Sequence, residues 1–167
     1  VVLKMKEVSH VVFHMIGGGP LLPWFRNSIQ KHGLEANFVV YGQVPRERIF
    51  NLLPDFDIHI ITSLLEANTT VIWETMSWGI PTISLDHFGM ADVINDSCGI
   101  KIPVKSYGQV VNCLAATLDN LSLNPEKILQ LKKGVYQSAV KYTWNNRIDF
   151  YESCYKKAIM NFTSKSK

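Results

Sequence analysis

Five short apolar runs, each separated from the next by a stretch long enough for a helix, constrain this chain most. Residues 11–16 run into Gly17-Gly18-Gly19-Pro20, and residues 37–41 close on Gly42. Residues 57–62, 81–85 and 99–103 form the other three. Runs of this length, rich in Val and Ile and without strict alternation, suit strands covered on both faces. The stretches between them predict helices at 21–32, 45–53, 70–78 and 89–95, followed by amphipathic helices at 106–120 and 125–142. A last helix begins after Thr143 and ends near Met160. Pro45 fits a first helical turn and Gly79 a helix end. Strand and helix in alternation give an α/β chain: a Rossmann-like doubly wound parallel sheet with helices on both faces, ending in C-terminal helices.

The chain of 167 residues suffices for one such domain, expected over 1–160, with 161–167 as a flexible tail. Hydrophobic residues make up 47% and charged residues 19%, which excludes a disordered chain. A net charge of +3 without a long basic run argues against a nucleic-acid partner. Cys98, Cys113 and Cys154 are scattered and odd in number, a pattern of reduced thiols. The opening residues mix Lys4, Lys6 and Glu7 with apolar positions instead of forming an apolar leader. The expected location is therefore cytoplasmic. A start at Val1 suggests a piece of a longer chain.

In doubly wound sheets ligands bind beyond the carboxyl ends of the strands. The loops after Ile16, Tyr41, Thr62 and Leu85 should therefore share one rim. Glu66 lies in the third of these, just before a helix, where a carboxylate is favoured electrostatically. Glu74 follows eight positions later inside an apolar helix, where an acid faces solvent or meets a polar partner. The first backbone amides of that helix offer an anion site. His10 and His14 stand four apart within or beside a strand, too far for easy chelation, and read as structural. Trp24, Trp73, Trp78 and Trp144 read as core residues.

The run from Ser63 through Glu66, Glu74, Gly79 and Pro81 to Asp86 resembles the E-x7-E signature of the retaining, two-lobed group 1 glycosyltransferases (GT-B). Gly17-Gly18-Gly19-Pro20 is similar to that family's G-x-G-P turn, and Gly42-Gln43-Val44-Pro45 to its G-x-V loop. Cys98 to Pro103 resembles its G-h-h-h-P strand, and Thr143-Trp144 with Tyr151 and Tyr155 its closing helix. The resemblance covers about His10 to Ile159. It implies the donor-binding C-terminal lobe of a hexosyltransferase. Glu66 is then the catalytic carboxylate at the donor sugar, and Glu74 holds the nucleotide ribose. Gly17, Gly18, Gly42, Val44, Ala67, Asn68, Thr69, Thr70 and Val71 complete the nucleotide site. The implied donor is a nucleoside-diphosphate sugar, UDP- or GDP-linked, with retained anomeric configuration, no cofactor and no metal. Leu85 to Asp92 is reminiscent of enzymes that build bacterial surface polysaccharides, with His87 beside the pocket.

Departures from the family pattern are informative. Ala67-Asn68-Thr69-Thr70 replaces a Gly-rich loop, and Phe88-Gly89 stands where the family pairs two glycines. The family's Arg- and Lys-bearing first strand and its acceptor lobe have no counterpart among these residues. The fragment is expected to be inactive alone, the acceptor lobe being its partner and its link to the inner face of the membrane. The alternative is a non-catalytic doubly wound domain. A response-regulator receiver needs acids after its first strand and an Asp after its third, where Gly17-Gly18 and Thr62-Ser63 stand. A phosphorylase-like enzyme needs a cofactor-bearing Lys, and none occurs between Lys31 and Lys101.

Overall fold

The computed structural model describes residues 1–65 and 69–165, with side chains through Phe162. All five expected strands form: β1 (Phe13–Ile16), β2 (Phe38–Gly42), β3 (His59–Ile61), β4 (Thr82–Leu85) and β5 (Gly99–Ile102). They alternate with α1 (Leu22–Lys31), α2 (Arg46–Leu52), α3 (Thr70–Ser77) and α4 (Phe88–Val93). Three helices close the chain, α5 (Tyr107–Leu123), α6 (Pro125–Ala139) and α7 (Trp144–Lys165). The last of these continues through Lys165, past its expected end and into the segment expected as a tail.

Every strand pairing is parallel. The strands nevertheless form two sheets, β1–β2 and β3–β4–β5, because β1 and β3 are not hydrogen-bonded to each other. Alternation along β4 explains how the larger sheet is covered. Ile83 and Leu85 point to a core shared with Leu114, Leu118 and Leu121 of α5. Thr82 and Ser84, on the other face by the two-residue period, are also buried. A second core, of Ile72 and Met76 from α3, Met90 and Val93 from α4 and Val135 from α6, lies on that side.

The smaller sheet has the same two layers. Phe13 packs against the α5-side core and stacks on Phe38, whose ring meets Phe25 of α1 edge-on at 5.5 Å. Helix α1 therefore shares a face with α5. On the other face His14 meets Phe56, just beyond α2, at 4.9 Å. Residues before β1 lie on the α5 side: Met5 is buried there, and the Asp119 carboxylate accepts the backbone N–H groups of Lys6 and Glu7.

One glycine sets how closely the last layers approach. A Cβ at Gly134 of α6 would collide with the backbone carbonyl of Ser97, in the turn that feeds β5. Three of the four tryptophans correct the expectation of core positions. Trp24, Trp78 and Trp144 are exposed, and Trp73 alone packs, against Tyr142. Helical spacing places a residue on a face, but a face is buried only if another element covers it.

Candidate functional site

The first two loops of the expected rim meet. Ile16 pairs with Gly42 across a register shift, and the Gly17 N–H donates to the Gly42 carbonyl at 2.8 Å. Gly17 and Gly42 both have positive φ, 136° and 71°, a region that side chains resist. Gly18 lies against Gln43, 3.4 Å from its Cβ to the position a Gly18 Cβ would take. Val44 follows, half-buried, just before Pro45 caps α2. Gly17, Gly18, Gly42 and Val44 thus form one ridge at the carboxyl end of the smaller sheet.

The third loop leads into α3. Glu66, Ala67 and Asn68 lie outside the described residues, so the catalytic candidate and two of the amide candidates have no geometry here. Thr69 is the N-cap of α3: its hydroxyl accepts from the Val71 N–H at 3.4 Å. Thr70 and Val71 are exposed. The free amides of this first turn carry the positive end of the helix dipole. Deeper in the helix, the Thr75 hydroxyl donates to the carbonyls of Val71 and Ile72 and anchors the turn below.

Glu74 is half-buried on the inner side of α3 and lines the cavity between the two sheets. Its carboxylate lies 2.6 Å from a guanidinium nitrogen of Arg46, the first residue of α2. This pair joins the second and third loops of the rim. Arg46 is largely exposed, so its charge is available to a ligand as well as to Glu74. Sequence reasoning missed Arg46. The only available signal was its place after the Val44-Pro45 loop, which does not distinguish a ligand-facing arginine from a solvated one.

The fourth loop holds a strained residue. Phe88 has φ 53°, in the left-handed region that a bulky side chain enters only at a cost. Its ring is half exposed and packs on His87. Asp86, at the end of β4, faces the Lys101 ammonium at 3.5 Å.

Other polar groups sit elsewhere. His14 shares a hydrogen bond with the Tyr41 hydroxyl at 3.0 Å, and His10 lies in a separate 3-10 turn, so the two do not act together. His59 of β3 bonds Thr82, and burial lowers its pKa to about 4. Asp55-Phe56-Asp57 is an Asp-x-Asp triplet. It precedes β3, at the amino end of the sheet, and Asp57 is held by Lys132 of α6 at 2.9 Å. Among the described residues no three His, Cys, Asp or Glu side chains are grouped to hold a metal ion. No described helix is long and apolar enough to cross a membrane.

The family model for glycosyl transferases group 1 matches residues 2–138. The GPI3 subunit of phosphatidylinositol N-acetylglucosaminyltransferase from Saccharomyces cerevisiae is 30% identical over 84 residues, 50% of this chain and 19% of its own length. A protein from Arabidopsis thaliana, also named as part of a phosphatidylinositol N-acetylglucosaminyltransferase, is 27% identical over 128 residues, 76% of this chain and 28% of its own. The chain thus spans less than a third of these curated relatives. The pneumococcal O-GlcNAc transferase GtfA, solved with UDP and GlcNAc, superposes with a TM-score of 0.77 at 20% identity. That match covers 95% of this chain and 32% of the other.

Proposed function

Because the chain belongs to the glycosyl transferases group 1 family, we propose that it is the donor-binding part of a retaining glycosyltransferase. Its ligand on this reading is a nucleoside-diphosphate sugar. The names of the curated relatives, and the UDP and GlcNAc bound to the pneumococcal enzyme, favour UDP-N-acetylglucosamine. The names of the curated relatives favour a glycolipid acceptor over a bacterial surface polysaccharide.

The single observation that carries this reading is the Arg46–Glu74 pair at the rim, 2.6 Å apart, with the Thr69-capped helix start on one side and the Gly17–Gly42 ridge on the other. A ribose needs a carboxylate acceptor for its two hydroxyls, and Glu74 supplies one. A diphosphate needs backbone amides and a cation, and the first turn of α3 and Arg46 supply them. Breaking the sugar–phosphate bond builds positive charge at the anomeric carbon and negative charge on the departing diphosphate. Glu66 is assigned to the first charge, and the α3 amides with Arg46 to the second.

Two experiments test this. In a thermal-shift series with UDP, GDP and ADP, UDP should raise the melting temperature most; no shift with any nucleotide at millimolar concentration would count against the reading. In the full-length enzyme, Glu74→Gln should raise the donor KM about tenfold with a smaller effect on kcat, since a ribose contact is similar in ground and transition states. Glu66→Gln should lower kcat about a hundredfold or more with little change in KM, because the charge it faces grows only as the bond breaks. The same kinetic profile for both variants would remove the division of roles.

A further inference from the structure

Phe88 is unfavourable for the fold in two independent ways. It is the one non-glycine residue with positive φ among the described residues, at 53°, where glycine would sit without strain. Its ring is also 47% exposed and lies in neither hydrophobic core, leaning instead on His87 at 4.1 Å between ring centroids. The surrounding chain imposes this conformation. The Asp86 N–H donates to the Ile102 carbonyl and the His87 N–H to the Leu85 carbonyl, each at 2.8 Å. Beyond Phe88, Met90 is completely buried, and the Lys101 ammonium donates to the Ala91 carbonyl at 3.2 Å while facing Asp86. The loop is fixed on both sides, so residue 88 takes its φ from the loop.

Resting on the donor-site reading given above, we propose that Phe88 is a specificity-determining residue, its ring the platform on which the C–H face of the transferred sugar lies. The order of elements along the rim assigns the sugar to this end. Glu74 lines the cavity between the two sheets, and Arg46 and the Gly17–Gly42 ridge lie on the β2 side of it. On the other side β3 and β4 are paired, Ile61 with Ser84, so the loops that leave these two strands are neighbours at one rim. A donor with its ribose at Glu74 and its diphosphate at the start of α3 carries its nucleobase toward the ridge. Its sugar then extends toward the loop of Phe88.

A pyranose carries hydroxyls around its edge and C–H groups on its faces. The face of a phenyl ring is the negative side of its quadrupole and attracts polarised C–H hydrogens. Covering the exposed ring with sugar also removes apolar surface from water. Such a platform discriminates by shape: a hydroxyl turned toward the ring holds the sugar away from it. Phe88 thus selects which sugar is accepted, whereas Glu66 is assigned to the charge at its anomeric carbon.

The test uses the full-length enzyme with UDP-N-acetylglucosamine and UDP-N-acetylgalactosamine, two donors that differ in the orientation of a single hydroxyl. Their ratio of kcat/KM measures sugar selection, and the inhibition constant of UDP measures the nucleotide site. Phe88→Leu and Phe88→Gly should each shrink the ratio about tenfold and leave UDP inhibition within about twofold of wild type. Phe88→Tyr, which keeps the ring, should hold the ratio within about threefold of wild type. An unchanged ratio in the Leu and Gly variants would overturn the proposal, as would a Tyr variant no better than Leu. Equal weakening of UDP and of both donors would also overturn it, marking Phe88 as a support for the loop. A wild-type enzyme that UDP does not inhibit would overturn the donor-site reading itself, and this assignment with it.

Discussion

The two halves of this molecule come from one pattern of strands and helices and pack to different depths. Before β3, only Met5, Ile29 and Leu53 belong to the buried hydrophobic set; the rest come from Ile72 onward. Strand β4 has a paired strand on each side and a core on each face, and all four of its residues are buried. Strand β1 has one partner, and none of its four residues is fully buried. The amino-terminal half is also where Leu21, just before α1, and Trp24, on it, stand exposed. Burial is thus a property of neighbours more than of the run itself: a hydrophobic strand is only as buried as the strands beside it allow. The thin half carries the Gly17–Gly42 ridge and the thick half carries α3, so the proposed ligand site straddles the seam between a soft element and a firm one.

The largest expected effect tests that contrast with one substitution in both halves. Ile83→Ala in β4 should cost about 4 kcal/mol, because it removes a side chain that two neighbours and α5 enclose. Ile16→Ala in β1, half-buried, should cost about 1–2 kcal/mol. Denaturant midpoints at constant slope measure both, and equal losses would break the comparison.

A pH titration probes the seam itself. His59, on the free edge of β3, has its pKa lowered by burial from 6.5 to about 4. Above pH 6.5 it is neutral folded or unfolded, and its contribution to stability is complete. Between 6.5 and 4 the unfolded chain takes up a proton that the folded chain refuses, so stability falls; below 4 the loss levels off. The shift sets an upper bound of about 3 kcal/mol, and access to water through the adjoining cavity reduces it. His59→Asn should flatten this part of the profile in equilibrium unfolding from about pH 7 to pH 4. An unchanged profile would show that the edge histidine is open to solvent.

The smallest effect has the opposite sign. Phe88→Gly should stabilise the chain by about 1 kcal/mol, since glycine accepts φ 53° without the cost a phenylalanine bears there. Calorimetry would read it as a rise of a few degrees in Tm. A loss instead would mean that the contact of Phe88 with His87 outweighs its backbone strain.

Much of this architecture was readable from residue order, because strands and helices are written in local periodicity and punctuation. The five apolar runs became β1 to β5, shortened by up to three residues where pairing stops. Thr69 caps α3 and Gly79 follows its end at φ 69°, as a short polar side chain and a glycine do wherever they fall. The helix expected over residues 70–78 already set Glu74 inside α3. Tertiary structure alone decided that Glu74 meets Arg46 from another helix, since no spacing along the chain encodes a contact 28 positions apart. It also decided that three tryptophans at helical spacing stay exposed and that the sheet parts between β1 and β3. The reason is the same in each case. Local sequence fixes which way a side chain points on its own element, whereas burial, pairing and charge contacts depend on what stands opposite.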